Sequence, residues 1–460
     1  MNSNSDPSVE KRYLLSDEQK KYYYANRHSD NKIDMMPTLL QFASDVDATK
    51  LADAFRQTID AHPFFKANVQ KIDNELFWRR QDDAEVRPVD ICYVSKKELM
   101  NQLNGLIGKK EFHPDVTTDI LYFAEIYVTN NNVYLLMVFH HIYYDGVTRN
   151  ILIENILAAY NGLTLQRDKG RGIEEGNEEA VYRNSESFSR TENFYADLFR
   201  HYSNPLHLSL SPKRNESSDV VVKKTIFDRF CTLFETGCLS TFSSECRTKT
   251  HRAKTVDAYT DGSRLRNFCA AQKISPNILF LTGLCFAAQQ LSGNDYLFFS
   301  TETAGRVGRE LDNEAGLFIR CFPLGIKIDS SLSPLELLFS IKEQYYHILK
   351  NHTALTADTA TEKFGFCNHF NYLYQADTYA TKPALRQPAY NDITYLVTSK
   401  IFSATKIDFD CDVQIYNFDL LRCEGKDRYM INVRYDAGLY PKSLMKRFSV
   451  TIKNFIEGLY

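Results

Sequence analysis

No stretch of this chain approaches the ~18 consecutive apolar residues that a membrane-spanning helix needs. Its longest apolar runs, such as Val133–Phe139, have the length of a strand. The N-terminal segment MNSNSDPSVEKRYLLSDEQ is polar and has no apolar centre, which excludes a secretory signal and a transit peptide. The ten cysteines are scattered singly from Cys92 to Cys423, with no C-x-x-C pair. That spacing argues against zinc knuckles and redox dithiols, and the thiols read as buried groups in a reducing cytosol. No charge of either sign dominates: 55 Lys and Arg stand against 58 Asp and Glu, for a net −3. Non-specific binding to nucleic acid or anionic membrane is therefore not expected. Tryptophan is nearly absent, with Trp78 alone, and the 13% of aromatic residues are otherwise Phe and Tyr. They suit strands and apolar channels and are too dispersed for a base-stacking platform. The nucleophile elbow G-x-S-x-G is missing. So is the phosphate loop G-x-x-x-x-G-K-[ST], because GLIGKK at 105–110 has the wrong spacing. GRGIEEG at 170–176 follows no apolar strand and lacks dinucleotide spacing. ATP, NAD and flavin chemistry have no support.

What is present is a globular composition, with 43% hydrophobic and 25% charged residues over 460 positions. That length allows two or three domains and a core large enough to fold without staples. In VDATKLADAFRQTIDA the residues Leu51, Ala54, Phe55, Thr58 and Ile59 share one helical face, and Asp47 is placed to cap the start. FFKANVQ and ELFWRR predict a hairpin turning at Asp73-Asn74. ILYFAEIYV and VYLLMVF predict a second hairpin across Asn130–Asn132, the latter strand buried on both faces. A helix is expected from Gly146 to Asn161-Gly162. Residues 163–190 are charged and glycine-spotted and read as a linker or long surface loop, and SPKRNESSD at 211–219 as another loop. In the second half Ser275-Pro276 opens a helix that stops near Gly293. YLFFSTET, FDCDVQIYNF and RYMINVRYD predict strands, and PLELLFSIKEQYYHILKN and Pro441–Ile456 predict helices. Helices and strands thus interleave throughout, as in an α/β fold of mixed sheets.

The segment with chemical content is Phe139-His140-His141-Ile142-Tyr143-Tyr144-Asp145-Gly146. A rigid strand end can present an imidazole into a cleft. A carboxylate four residues after the second histidine can pair with a basic residue and lock the intervening turn. Gly146 allows a bend or a close approach. A zinc site would want a third ligand at sensible spacing; the residues are not in H-E-x-x-H order, and adjacent strand residues face opposite ways. Two satisfied core histidines are the plainer alternative. A histidine-centred site with no cofactor suits proton transfer or acyl transfer to an incoming nucleophile. Of Tyr143 and Tyr144, alternation along an extended segment places one inward and one outward.

At this point the chain resembles a condensation domain of nonribosomal peptide synthetases, in the chloramphenicol-acetyltransferase-like superfamily, whose signature HH-x-x-x-DG matches His140 to Gly146. LLSDEQKKYYYAN (14–26) is similar to the family's L-S-x-A-Q opening, and the segment through Ala61-His62-Pro63-Phe64-Phe65-Lys66 to R-H-x-x-L-R. Residues 275–306 resemble the helix and strand that end in S-G-R, and EAGLFIRCFPLGI (314–326) resembles V-G-x-F-x-N-T-x-P-L-R. FNYLYQ (370–375) and the last fifty residues complete the likeness, which covers nearly the whole chain.

The resemblance implies two acetyltransferase-like lobes, expected at 1–175 and 176–460, arranged as a V-shaped pseudo-dimer around a central tunnel. It implies an acyltransferase that joins a donor acyl or peptidyl thioester to an acceptor amine, both carried on phosphopantetheine arms of donor and acceptor carrier proteins. No cofactor of its own is implied, and adenylation domains of the same synthetase are further expected partners. His141 would be the general base or would position the amine, and His140 would support the turn. Asp145 would be structural, paired with Arg306, and Gly146 would line the channel. Lys66 stands where the family has an arginine that would brace a carboxylate, and loses its planar fork. Arg320-Cys321 stands where the family has Asn-Thr, and FYADLFR (194–200) lacks the usual Trp.

Two alternatives go with this reading. Glu302-Thr303-Ala304-Gly305-Arg306 and FNYL resemble the epimerisation subgroup, in which Glu302 would face the histidine. Against it, Arg149 replaces that subgroup's Trp, and its G-W-F-T is Gly316-Leu317-Phe318-Ile319 here. The other alternative is a free-standing acyltransferase using acyl-CoA; a start at Met1 fits a free enzyme or an initiating module. The expected location is cytoplasmic.

Overall fold

The apolar run Val133–Phe139 forms most of strand β7 (Asn132–His140), and every residue of that strand after Asn132 is buried. The computed structural model describes residues 12–28, 34–81, 83–202, 206, 208–209, 253–306, 309–311, 313–351, 360, 363–366, 370–375, 388–394, 397, 413–419 and 427–460. β7 is the middle of a five-stranded sheet, between β2 (Met35–Ala43) and β6 (Tyr122–Val128). Both of these pairings are antiparallel. β12 (Tyr390–Asp392) flanks β2, and β5 (Asp90–Tyr93) flanks β6. Leu135, Met137 and Phe139 point into one core cluster, and Leu136 and Val138 into another on the opposite face. Burial on both faces explains why the strand is apolar at consecutive positions.

Helix α2 (Ala48–Ala61) buries Leu51, Ala54, Phe55 and Ile59 against the first of these faces, together with α4 (Gly146–Tyr160). Asp47 caps α2 by accepting from Thr49 N at 2.9 Å and Lys50 N at 3.0 Å. α3 (Lys96–Asn104) packs Leu99 and Leu103 on the other face. A separate three-stranded sheet runs β1 (Tyr13–Leu14), β4 (Glu75–Arg79), β3 (Asn68–Ile72). Its hairpin turns at Asp73 and Asn74, whose φ angles of 48° and 68° are those of a tight left-handed turn.

The chain forms two compact units. The first holds Met1–Tyr182 and takes back two later segments, 304–319 and 379–405; the second holds the remainder. The sequence reading draws one cut, at 175/176, without these returns. The second unit is built on a six-stranded sheet in the order β10 (Arg320–Lys327), β9 (Tyr296–Thr303), β11 (Phe370–Gln375), β13 (Val413–Asp419), β14 (Arg428–Asp436), β8 (Ala253–Asp261). Its core takes in residues of α7 (Gly262–Gln272), α8 (Pro276–Ser292), α9 (Pro334–Asn351) and α10 (Lys442–Glu457). Ser275 caps α8, and Gly293 ends it in the left-handed region at φ 74°. Among the described residues no single helix is long and apolar enough to cross a membrane. The loop expected at 211–219 and the first part of FDCDVQIYNF lie outside the described residues.

Of the stretch read as a linker or loop, residues 163–170 carry no regular structure, but from Arg171 on it is helical, in α5 (Arg171–Arg183) and the start of α6 (Glu186–Phe199). Two of the glycines that suggested a loop, Gly172 and Gly176, are close-approach positions. A Cβ at Gly172 would lie 2.2 Å from Ala315 O, and one at Gly176 would lie 2.1 Å from Leu14 O. The charges that suggested a solvated surface are partly buried and partnered. Glu175 receives Arg309 Nη1 at 3.0 Å, and Glu179 accepts from Asp17 N at 3.2 Å. Glu314 accepts from Lys169 N and Arg171 N and so caps the start of α5. All these partners are distant in sequence, so composition alone reads the helix as a loop. Gly176→Ala is expected to lower the stability of the protein by about 1–3 kcal/mol, because backbone rather than a flexible side chain must move. Denaturant unfolding of the variant beside the wild type measures this.

Candidate active site

His140 ends β7, and the chain then turns through one 3-10 turn, His141–Tyr143, before α4 begins. The His140 backbone N–H donates to Leu121 O at 2.8 Å, and that of His141 to Asp34 O at 2.7 Å. The His140 ring is buried, and its Nδ1 accepts from Ile142 N at 3.1 Å. An imidazole nitrogen that accepts is unprotonated, so this ring is neutral with its proton on Nε2. Burial, followed by the neighbouring His141, pushes the His140 pKa down to about 3. His141 is partly exposed, and its Nδ1 is buried without a hydrogen bond. Burial lowers its pKa below the ordinary value; backbone at His141, the Asp145 charge and backbone at Tyr144 oppose that shift. The ring stacks on Tyr22 of helix α1 (Asp17–His28), with centroids 4.6 Å apart and planes at 24°.

Tyr143 and Tyr144 are both fully buried, which corrects the expectation of one inward and one outward. Alternation needs both residues in extended chain, and Tyr143 closes a 3-10 turn while Tyr144 is the extended residue that caps it. Tyr143 packs among Phe64, Phe65 and Trp78. Tyr144 stacks on Phe139 at 4.7 Å, and its hydroxyl lies 3.3 Å from Thr38 Oγ1.

Asp145 has no solvent exposure. Its Oδ1 accepts from Thr148 N at 2.7 Å, capping α4, and its Oδ2 accepts from Phe318 N at 3.1 Å. Arg306 Nη2 lies 3.3 and 3.4 Å from the two oxygens. The same guanidinium donates to Leu311 O at 3.0 Å, Glu314 O at 2.7 Å and Thr148 Oγ1 at 3.0 Å. It also lies over the Phe318 ring at 4.4 Å. Thr148 Oγ1 donates to Gly316 O at 2.7 Å and accepts from Gly316 N at 3.0 Å. The segment 304–319 is thereby fastened to the first turn of α4.

Gly146 is the first residue of α4 and is exposed. Its φ is not positive, and a Cβ there would meet nothing within 4 Å. Neither backbone strain nor a close approach within the protein requires glycine at this position. Lys66 Nζ reaches the exposed Asp60 at 2.8 Å. The buried carboxylate of that region, Asp168, is instead held by His62, whose Nδ1 lies 2.8 Å from Asp168 Oδ2 and whose Nε2 lies 2.7 Å from Asn155 Nδ2. Arg149 pairs with Asp392 of β12. Glu302 lies on β9 in the second unit, opposite Cys321. Among the described residues no group of three or more His, Cys, Asp or Glu is placed to hold a metal.

Sequence reasoning missed Tyr22, Thr148, Phe318 and the His62–Asp168 pair. One signal was available. Ser16-x-x-Gln19 is a capping-box pattern, and Ser16 N donates to Gln19 Oε1 at 2.9 Å while Gln19 N donates to Ser16 Oγ at 3.3 Å. It places the start of α1, and so Tyr22 one turn further on.

A family model described as Condensation domain matches residues 9–460. Bacitracin synthase 1 of Bacillus licheniformis is 20% identical over 456 residues, covering 97% of this chain and 8% of its own length. The chain thus spans a small fraction of the curated relatives it matches. Among solved structures, the condensation domain from Monacolin K polyketide synthase MokA superposes with a TM-score of 0.73 at 13% identity, covering 98% of each chain. The epimerization domain from the third module of tyrocidine synthetase B gives a TM-score of 0.70 at 16% identity, covering 98% of this chain and 97% of that one.

Removing the cation in Arg306→Leu leaves Asp145 buried without its counter-charge and is expected to cost about 3 kcal/mol or more in denaturant unfolding. Arg306→Lys should recover only part of this, since an ammonium cannot reproduce the fork that reaches Thr148, Leu311 and Glu314. His140 yields a pH test. The folded ring refuses a proton from an ordinary 6.5 down to about 3, while the unfolded chain accepts one. Its contribution is therefore full above 6.5 and is lost as pH falls through that window. The unfolding midpoint of His140→Asn should decline less steeply between pH 6.5 and 4 than that of the wild type.

Proposed function

The chain belongs to the condensation-domain family, and on that premise we propose that it forms an amide between a donor acyl or peptidyl thioester and an acceptor amine. Both substrates are carried on phosphopantetheine arms of partner carrier proteins, with adenylation domains as further members of the same assembly. The observation that carries this reading is His141: a partly exposed imidazole at a rigid strand end, with its pKa held below the ordinary value. Such a ring is deprotonated near neutral pH and available as an acceptor.

In the proposed reaction the amine nitrogen attacks the thioester carbonyl. The C–N bond forms, the C–S bond breaks, and the carrier thiol leaves. His141, through Nε2, takes the ammonium proton or holds the amine in line, and the proton lost by nitrogen ends on the departing sulfur. His140 keeps the turn in place through Ile142 N. Asp145 and Arg306 act structurally, fixing the start of α4 rather than touching substrate. The open space beside Gly146 is where a substrate passes, so the glycine serves the ligand rather than the fold.

Epimerisation of a carrier-bound residue is the second reading, supported by Glu302-Thr303-Ala304-Gly305-Arg306 and by the solved epimerization domain among the similar structures. Acyl transfer from a soluble acyl-CoA is the third. Intact-protein mass spectrometry with acyl- and aminoacyl-loaded carriers separates all three. Amide in the wild type, lost by at least about 100-fold in His141→Ala, is the expected result. Deuterium entering the α-carbon without amide would make the protein an epimerase and Glu302 the next residue to replace. Reaction of acyl-CoA with a free amine, without carriers, would overturn the carrier-dependent reading. Gly146→Leu should unfold at the wild-type midpoint and yet lose amide formation.

A further inference from the structure

We propose that Tyr22 is a positioning residue for His141, its ring doing the orienting that a carboxylate does for most catalytic histidines. The proposal rests on the reading of His141 as the residue at the reacting centre. A histidine that accepts a proton through one nitrogen is usually held by a hydrogen bond at the other. Here the other nitrogen, Nδ1, is buried and closes no such bond. Asp145, whose charge reaches the ring, is already committed: Oδ1 to Thr148 N, Oδ2 to Phe318 N, and both oxygens to Arg306. The His140 ring turns its own Nδ1 to Ile142 N. What does meet the His141 ring is the face of Tyr22, stacked at 4.6 Å and 24°.

That face is itself held. Ser16 and Gln19 cap α1 reciprocally, and Gln19 also accepts from Trp78 Nε1 at 3.1 Å and donates to Gly172 O at 3.4 Å. Asp17 N donates to Glu179. Tyr22 follows Gln19 by one helical turn, so the anchoring of the helix start fixes where the ring lies. A stacked aromatic does two things for an imidazole. It restricts rotation of the ring, which keeps the accessible nitrogen aimed, and its electron-rich face favours the protonated form that arises when the ring takes a proton. The second effect opposes burial.

Tyr22→Leu removes the π-face while keeping apolar bulk over the ring, and Tyr22→Phe restores the face. Two readouts are taken on the intact chain. The first is the titration of His141 by NMR on histidine-labelled protein, assigned with His141→Gln; it needs no substrate and survives even if the amide-forming reading fails. The second is kcat and KM for amide formation. The expected result is a lower His141 pKa in Tyr22→Leu, with kcat down about tenfold and KM little changed, and recovery of both in Tyr22→Phe. A His141 titration in Tyr22→Leu that matches the wild type overturns the proposal. So does a Tyr22→Phe variant as impaired as Tyr22→Leu, which would assign the effect to the hydroxyl. If Tyr22→Leu fails to fold, Tyr22→Phe and Tyr22→Trp carry the test, and a loss of His141 titration or of kcat in both overturns it.

Discussion

A carboxylate with no access to water must find its compensation inside the protein, and the buried Asp145 is the point around which the first unit is assembled. Two backbone N–H groups, from Thr148 and Phe318, and the Arg306 guanidinium share its charge. These partners come from 145–148 and from 306–318, segments separated in the chain by the whole first part of the second unit, Arg183–Thr303. Neutralising one charge therefore brings a distant stretch of chain back onto the first turn of α4. Thr148 and Gly316 reinforce the joint, and Glu314 continues it to the start of α5. A surface ion pair would hold such a joint weakly. A buried one holds it strongly, because separating the partners leaves a charge in a low-dielectric interior.

The same commitment shapes the surroundings of His141. With Asp145 used for structure, His141 lacks the carboxylate partner that orients imidazoles in many hydrolytic sites. Its environment is made of rings and backbone instead: Tyr22 against one face, the buried end of β7 behind it, and the His140 ring locked as a neutral acceptor. Burial keeps both imidazoles uncharged near neutral pH, the state an acceptor of protons requires. Two departures from the family patterns, at Lys66 and Arg149, fall outside this centre. Lys66 meets a surface carboxylate, while Arg149 ties α4 to β12. Neither replaces a group that touches the imidazole of His141.

Local pattern placed most of the elements because it acts over a few residues. The heptad-like spacing of Leu51, Ala54, Phe55 and Ile59, the Ser275-Pro276 opening and the apolar run of β7 each carry their own structural reason. The stretch 171–190 was misread for the opposite cause. Its glycines and glutamates make sense only against Leu14, Ala315, Arg309 and Asp17, none of which lies within a few residues. The two tyrosines failed because a single 3-10 turn broke the alternation that a strand would have kept.

By itself the sequence determined the family, through HH-x-x-x-DG and the accompanying segments, and the α/β character, through periodicities that any local window contains. It also determined that His141 stands at the end of a buried strand. Only the tertiary structure decided which groups surround that histidine. Tyr22 reaches it from another helix, Asp145 is engaged by Arg306, and Gly146 is left beside open space. Such assignments depend on contacts between residues far apart in the chain. Which polar groups share a buried site is set by how all of them can be satisfied together, and no single segment carries that information.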